Sequence, residues 1–115
     1  MKESTVRARN GLKTAYTGGQ LAIDKIVKEM GFSTDVEKEF PPYFVDVYVY
    51  SIHAGIEYDG AHSFKKKDRE RDNYLMEKYK LPIKRLEFFA PKEKVKEALI
   101  PFLKECALKS SRKQL

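Results

Sequence analysis

Cysteine is nearly absent: Cys106 is the only one in 115 residues. A single thiol builds neither an internal disulfide framework nor a zinc site of several cysteines. Long apolar runs are missing too. Nothing approaches the roughly 20 consecutive apolar residues that a membrane-spanning helix needs. The opening residues, Met1-Lys2-Glu3-Ser4-Thr5, lack the apolar segment of a secretory leader. Internal repeats and low-complexity tracts are also wanting. These absences lead us to expect a small intracellular protein without membrane or disulfide chemistry.

What the chain does have is charge. Charged residues make up 35%, against a usual share of about 25%. Lys and Arg number 23 and Asp and Glu 17, a formal net charge of +6. A basic balance favours an anionic partner, nucleic acid being the commonest. Charge alone does not decide, because Lys- and Glu-rich composition also accompanies thermostability. With 42% hydrophobic residues, residues 1–115 suffice for one domain with one core.

Apolar periodicity divides the chain. Residues 1–13 carry Lys2, Arg7, Arg9 and Lys13 with few apolar partners, which reads as a basic arm or short helix. Leu21, Ile23, Ile26, Val27 and Met30 recur at helical spacing, and Gly31 follows in the place of a helix stop, so a helix is expected over 19–30. Residues 32–40 read as a short strand, and Pro41-Pro42 as a break. Residues 43–50 alternate as a β-branched and aromatic strand, with Val45, Val47 and Val49 on one face and Phe44, Asp46, Tyr48 and Tyr50 on the other. A turn over 51–55 and a strand over 56–60 complete a hairpin. A charged helix over 64–80 ends at Leu81-Pro82, and a strand follows over 83–89. Pro91 opens a last helix, which Pro101 is expected to kink or split. The tail from Lys109 to Leu115 is expected to fray. Helix, strand, hairpin, helix, strand, helix implies an α/β (α+β) fold: a mixed sheet with helices on its faces.

Chemistry concentrates in the middle. Asp46 lies within an apolar strand, where Asp is depleted and a buried carboxylate is costly unless paired or metal-bound. Glu57 and Asp59 stand two apart on the next strand and so share a face. In an ordinary hairpin that face also carries Asp46. Acids so close repel unless a cation lies between them, and Mg²⁺ suits carboxylate oxygens. His62 follows Gly60, whose freedom lets the chain turn back toward the acids. Asp68, Asp72, Leu75 and Tyr79 share one face of the following helix. Asp68 is taken as functional and Asp72 as an ordinary helix partner of Lys and Arg. Lys65, Lys66, Lys67, Arg69, Arg71, Lys84 and Arg85 surround the acids, and cations beside a carboxylate pocket suit a phosphodiester. The chemistry these groups suggest is metal-assisted attack of water on phosphorus, with His62 as general base or charge stabiliser. A lone Asp46 would read as a strand end or a partner of Arg85. Its company argues for a site.

The pattern Asp46…Glu57-x-Asp59-Gly60-x-His62…Asp68-Arg69 resembles the PD-(D/E)xK restriction-endonuclease-like superfamily. The likeness is greatest to the branch with the very-short-patch-repair (Vsr-like) endonucleases, the EDxHD homing endonucleases and small E-x-D-G-x-x-H domains. It covers roughly residues 20–89. It implies a restriction-endonuclease-like mixed sheet of about four strands, and Mg²⁺-dependent cleavage of DNA, with Mn²⁺ able to substitute. It further implies Asp46 as the central metal ligand beside Glu57 and Asp59, with His62 and Asp68 in the catalytic set. The motif lysine is replaced by Asp59, so His62 or one of Lys65, Lys66 and Lys67 must supply its charge. The position of the acid that many relatives carry in the first helix falls at Gln20, with Asp24 or Glu29 as substitutes for that acid. The zinc ligands of the mismatch-repair enzymes are lacking, so a mismatch-repair role is not expected. A homodimer is a possible arrangement, since a double-strand cut usually needs two sites.

Overall fold

The computed structural model describes residues 18–59 and 65–113. They form α1 (Gly18–Glu29), β1 (Thr34–Phe40), β2 (Tyr43–Val49), β3 (Ala54–Tyr58), α2 (Lys65–Tyr79), β4 (Ile83–Leu86) and α3 (Lys92–Lys113). The fold is α+β: a four-stranded mixed sheet of order β1-β2-β3-β4 with three helices. β1, β2 and β3 are antiparallel neighbours, and β4 lies parallel to β3 because α2 carries the chain back between them. The expected basic arm, residues 1–13, lies outside the described residues, as does His62.

Helices cover both faces. Ile23 and Val27 of α1 and Val95 and Leu99 of α3 close one core against Val47 and Ile56 of the sheet. On the other face, Leu75 of α2 packs with Phe40, Val45, Tyr48 and Leu81. Gly31 stops α1 at φ 99°, as its place after the apolar stripe leads one to expect. Lys80 does the same for α2 at φ 56°, with the Leu81 N–H reaching back to the Leu75 carbonyl at 3.2 Å.

Besides the last strand, which ends at Leu86 rather than at Phe89, three local expectations need correction. Ala54 and Gly55 belong to β3, not to the turn, and β3 ends at Tyr58. Gly55 is there for closeness: a Cβ would stand 2.6 Å from Ile83 Cδ1 and 2.9 Å from Val45 Cγ1. Val45 does not share a face with Val47 and Val49; it packs with Tyr48 in the α2 core. The alternation slips at Asp46. There the β1–β2 register passes from Val36↔Val47 to Lys38↔Val45, skipping the step between, and Glu37 takes φ 53°. Finally, α3 is one helix across Pro101, where a split was among the expectations, and it extends to Lys113. Pro101 and Glu97, whose carbonyl loses its helix donor, are both exposed, which puts the gap in the helix ladder on the solvent side. Among the described residues, no helix is long and apolar enough to cross a membrane.

Candidate functional site

The β2–β3 ladder pairs Val49 with Ala54, Tyr48 with Gly55 and Val47 with Ile56. One step further, where Asp46 faces Glu57, side chains take over from backbone. The Glu57 Oε2 accepts the Asp46 N–H at 2.8 Å, and the Asp46 Oδ2 accepts the Tyr58 N–H at 2.9 Å. Each carboxylate thus satisfies a main-chain donor of the opposite strand. Charge-assisted bonds of this kind fix both side chains where the two strands part. Tyr58 is set in turn by α1: a Cβ on Gly19 would stand 2.5 Å from its ring.

α1 and β1 close the site from one side. The Gln20 Nε2 donates to the Glu37 Oε2 at 2.9 Å and to the Asp46 carbonyl at 3.1 Å. Gln20 is 1% exposed and Glu37 5%. A buried amide therefore joins a buried carboxylate to the main chain of Asp46.

α2 closes the other side. Arg71 is 1% exposed. Its Nη2 donates to the Glu57 Oε2 at 2.8 Å and to the Phe44 carbonyl at 2.7 Å, and its guanidinium lies 5.5 Å from the centre of the Tyr43 ring. Among the described residues its Nε finds no hydrogen-bond partner, and its Nη1 has only the Asp72 carboxylate at 3.6 Å. Burial and the neighbouring Asp46 charge raise the Glu57 carboxyl, and Arg71 offsets this only in part, leaving it pushed up to about 7.

A second arginine gathers the remaining acids at the rim. Arg85 of β4 makes two bonds to Asp72, at 2.8 and 2.9 Å, and one of 2.7 Å to Asp59, with Asp68 at 3.5 Å. Burial alone would lower the Arg85 pKa, but Asp72 and then Asp59 outweigh it and raise it.

The expected residues therefore fall into groups. Asp46 and Glu57 come together across the strand opening, and Gln20 lies against Asp46. Asp59 and Asp68 lie instead on Arg85, so Arg85 is held by carboxylates rather than standing ready for phosphate. Lys66, Lys67 and Arg69 are exposed on the first turns of α2. The Lys65 side chain lies outside the described residues. Among the described residues no three His, Cys, Asp or Glu side chains form a group able to hold a metal ion. The expected trio of Asp46, Glu57 and Asp59 is thus not assembled; two carboxylates are. Two acids with waters remain a common way to hold Mg²⁺.

Sequence reasoning passes over Glu37, counts Arg71 only among the cations around the acids, and sets Asp72 aside. Glu37 lies in an alternating charged stretch that reads as a solvated strand. Arg71 is one of several cations on a charged helix, though its spacing from Asp68 and Leu75 puts it on the buried stripe. Asp72 reads as an ordinary helix partner, yet it is the acid that grips Arg85 with both oxygens. No protein-family model, curated protein or solved structure matches this chain.

Proposed function

We propose that this chain is a divalent-metal-dependent endonuclease that hydrolyses DNA phosphodiester bonds, with Mg²⁺ as the ion and Mn²⁺ as a substitute. One observation carries the reading: Asp46 and Glu57 oppose each other where the β2–β3 ladder opens, each fixed by a main-chain N–H of the other strand. Burial and the Asp46 charge push Glu57 up to about 7, so a cation between the two would relieve a repulsion that Arg71 leaves standing. A divalent ion bound there would polarise a phosphoryl oxygen and acidify its own water. Asp46 and Glu57 are the residues that would hold it. Exposed Lys66, Lys67 and Arg69 would draw in the phosphate backbone. His62, three residues beyond Asp59, is assigned to proton transfer or charge stabilisation on the sequence pattern. The likeness to the PD-(D/E)xK pattern supports the same reading, and with it go an intracellular site of action and a homodimer for double-strand cuts.

The test is plasmid cleavage with Mg²⁺ or Mn²⁺. Wild type should nick or linearise the plasmid, and Asp46→Asn should abolish this at a melting temperature no lower than that of wild type. A purified wild type that leaves several DNA forms intact with both metals would sink the proposal.

A second reading has its own support. Arg71 and Arg85 already take up Glu57, Asp59, Asp68 and Asp72, as expected of a nucleic-acid-binding module without catalysis. It predicts salt-sensitive binding to DNA with no cleavage, and Asp46→Asn that binds as well or better.

A further inference from the structure

Three residues other than glycine have positive φ among the described residues: Glu37, His53 and Lys80. His53 closes a hairpin turn and Lys80 a helix, where left-handed residues are ordinary. Glu37 stands in the middle of β1, where φ 53° is not required by any turn. Such strain persists where the surroundings over-determine it, and it gathers at functional sites.

Its consequence is visible. Strict alternation would send Glu37 to the face opposite Val36, whose ladder partner Val47 packs on the α1 side. Instead the Glu37 carboxylate meets Gln20 of α1, and the same Gln20 Nε2 reaches the Asp46 carbonyl. Asp46 is the residue that the register would place opposite Glu37, at the one step the β1–β2 ladder skips. The left-handed turn thus exchanges a ladder position for a buried amide bridge.

We propose that Glu37 is a positioning residue that acts through Gln20 to hold the main chain of Asp46, and thereby aims its carboxylate. This rests on the assignment of Asp46 to the centre of the site. The carboxylate fixes the orientation of the Gln20 amide, and the amide fixes the Asp46 carbonyl. The Asp46 Oδ2 is then delivered to the Tyr58 N–H, and the Asp46 N–H to Glu57. Glu37 itself need touch neither metal nor substrate.

Amide hydrogen exchange on the intact chain tests this apart from any activity. In Glu37→Gly relief of the left-handed strain offsets part of the cost of the lost buried hydrogen bond, so the fold should survive. The Asp46 and Tyr58 amides should nevertheless exchange about tenfold faster, with the rest of β2 and β3 unchanged. Glu37→Gln keeps an acceptor for the Gln20 N–H and should restore wild-type exchange. Gln20→Met removes the bridge without touching the strained residue and should reproduce the Glu37→Gly pattern; it carries the test if Glu37→Gly fails to fold. Unchanged exchange at both amides overturns the proposal, and so does uniform acceleration across the sheet. If wild type cleaves DNA, Glu37→Gly should lower kcat and leave KM in place, and Glu37→Gln should rescue it. If wild type does not cleave, the nuclease reading fails, while the two amides still decide the role of Glu37.

Discussion

Two guanidinium groups organise the acids of this site, and they do so in opposite surroundings. Arg71 is sealed under α2, hydrogen-bonded to one carboxylate and one carbonyl against an aromatic ring, with the Asp72 carboxylate farther off at 3.6 Å. Arg85 stands at the rim with its side chain 18% exposed, among three carboxylates. At the buried centre the desolvation of both charges works against their attraction, so the pair is weak evidence for stability and stronger evidence for a fixed orientation. At the rim Asp72 is 28% exposed while Asp59 and Asp68 are largely covered, so salt screens this cluster in part, and more than it screens the buried centre. The same chemical pair is thus a sealed brace in one place and a partly wet clamp in the other.

Removing Arg71 should have the largest effect. Arg71→Met leaves Glu57 buried beside Asp46 without its counter-charge, and losing one partner of a buried pair costs about 3–5 kcal/mol. Urea denaturation should show this as a lower midpoint with an unchanged slope. Adding Glu57→Gln removes the stranded charge and should recover much of the loss, so the double variant is more stable than the sum of the singles implies. An Arg71→Met protein as stable as wild type would erase the contrast between the two arginines.

Packing sharpens the comparison on the buried side. Gly19→Ala drives a methyl group into the Tyr58 ring, which Phe89 meets from elsewhere with ring centres 5.5 Å apart. Overpacking of this kind costs about 1–3 kcal/mol, which should appear as a lower melting temperature. Because Tyr58 donates its N–H to Asp46, the Asp46–Tyr58 hydrogen bond should lengthen, with a matching shift of the Tyr58 amide resonance.

Arg85→Ala should cost less than Arg71→Met, about 1–2 kcal/mol, between the exposed and buried limits for ion pairs. It leaves Asp59, Asp68 and Asp72 facing one another at the rim. Raising salt toward about 1 M contracts the Debye length to about 3 Å, so the Arg85→Ala deficit should shrink while that of Arg71→Met persists. Arg85→Lys should restore part of the stability but not all, since an ammonium cannot match the two-oxygen grip on Asp72. Deficits that respond equally to salt would show that both arginines are equally wet.

The same contrast marks how far the sequence can be read. The strands and helices are legible because period 2 and period 3.6 are imposed by burial of one face, and Gly31 and Leu81-Pro82 end helices through local backbone chemistry. Asp46 is legible because a carboxylate in an apolar strand is costly enough to need a reason. The misplaced turn comes from Gly55, which is small for the sake of Val45 and Ile83, neighbours from other strands that no local pattern contains. Glu37 is hidden for a similar reason. Its sign of φ goes with the skipped ladder step and with Gln20, which lies 17 residues away along the chain. Arg71 and Asp72 are ambiguous because one helix carries so many charges that only packing separates the buried stripe from the wet face.

The smallest stability effect should come from the exposed turns of α2, and it separates the wet face from both arginine centres. Lys66 and Lys67 are exposed, so Lys66→Glu and Lys67→Glu together should change stability by no more than about 0.5 kcal/mol per site. On the proposed nucleic-acid reading, their effect belongs in binding. Each lysine that meets a phosphate releases counterions, so the slope of log affinity against log salt should fall by about 0.7–0.9 for each phosphate no longer neutralised. Fluorescence anisotropy with labelled duplex and single-stranded DNA, titrated across salt, reads this directly. Arg85→Ala, by contrast, should leave the salt slope nearly as in wild type, because its guanidinium is already held by carboxylates. If Arg85→Ala lowers the slope as much as the lysine variants do, Arg85 exchanges its acids for phosphate on binding, and the rim clamp is part of the DNA-binding surface after all.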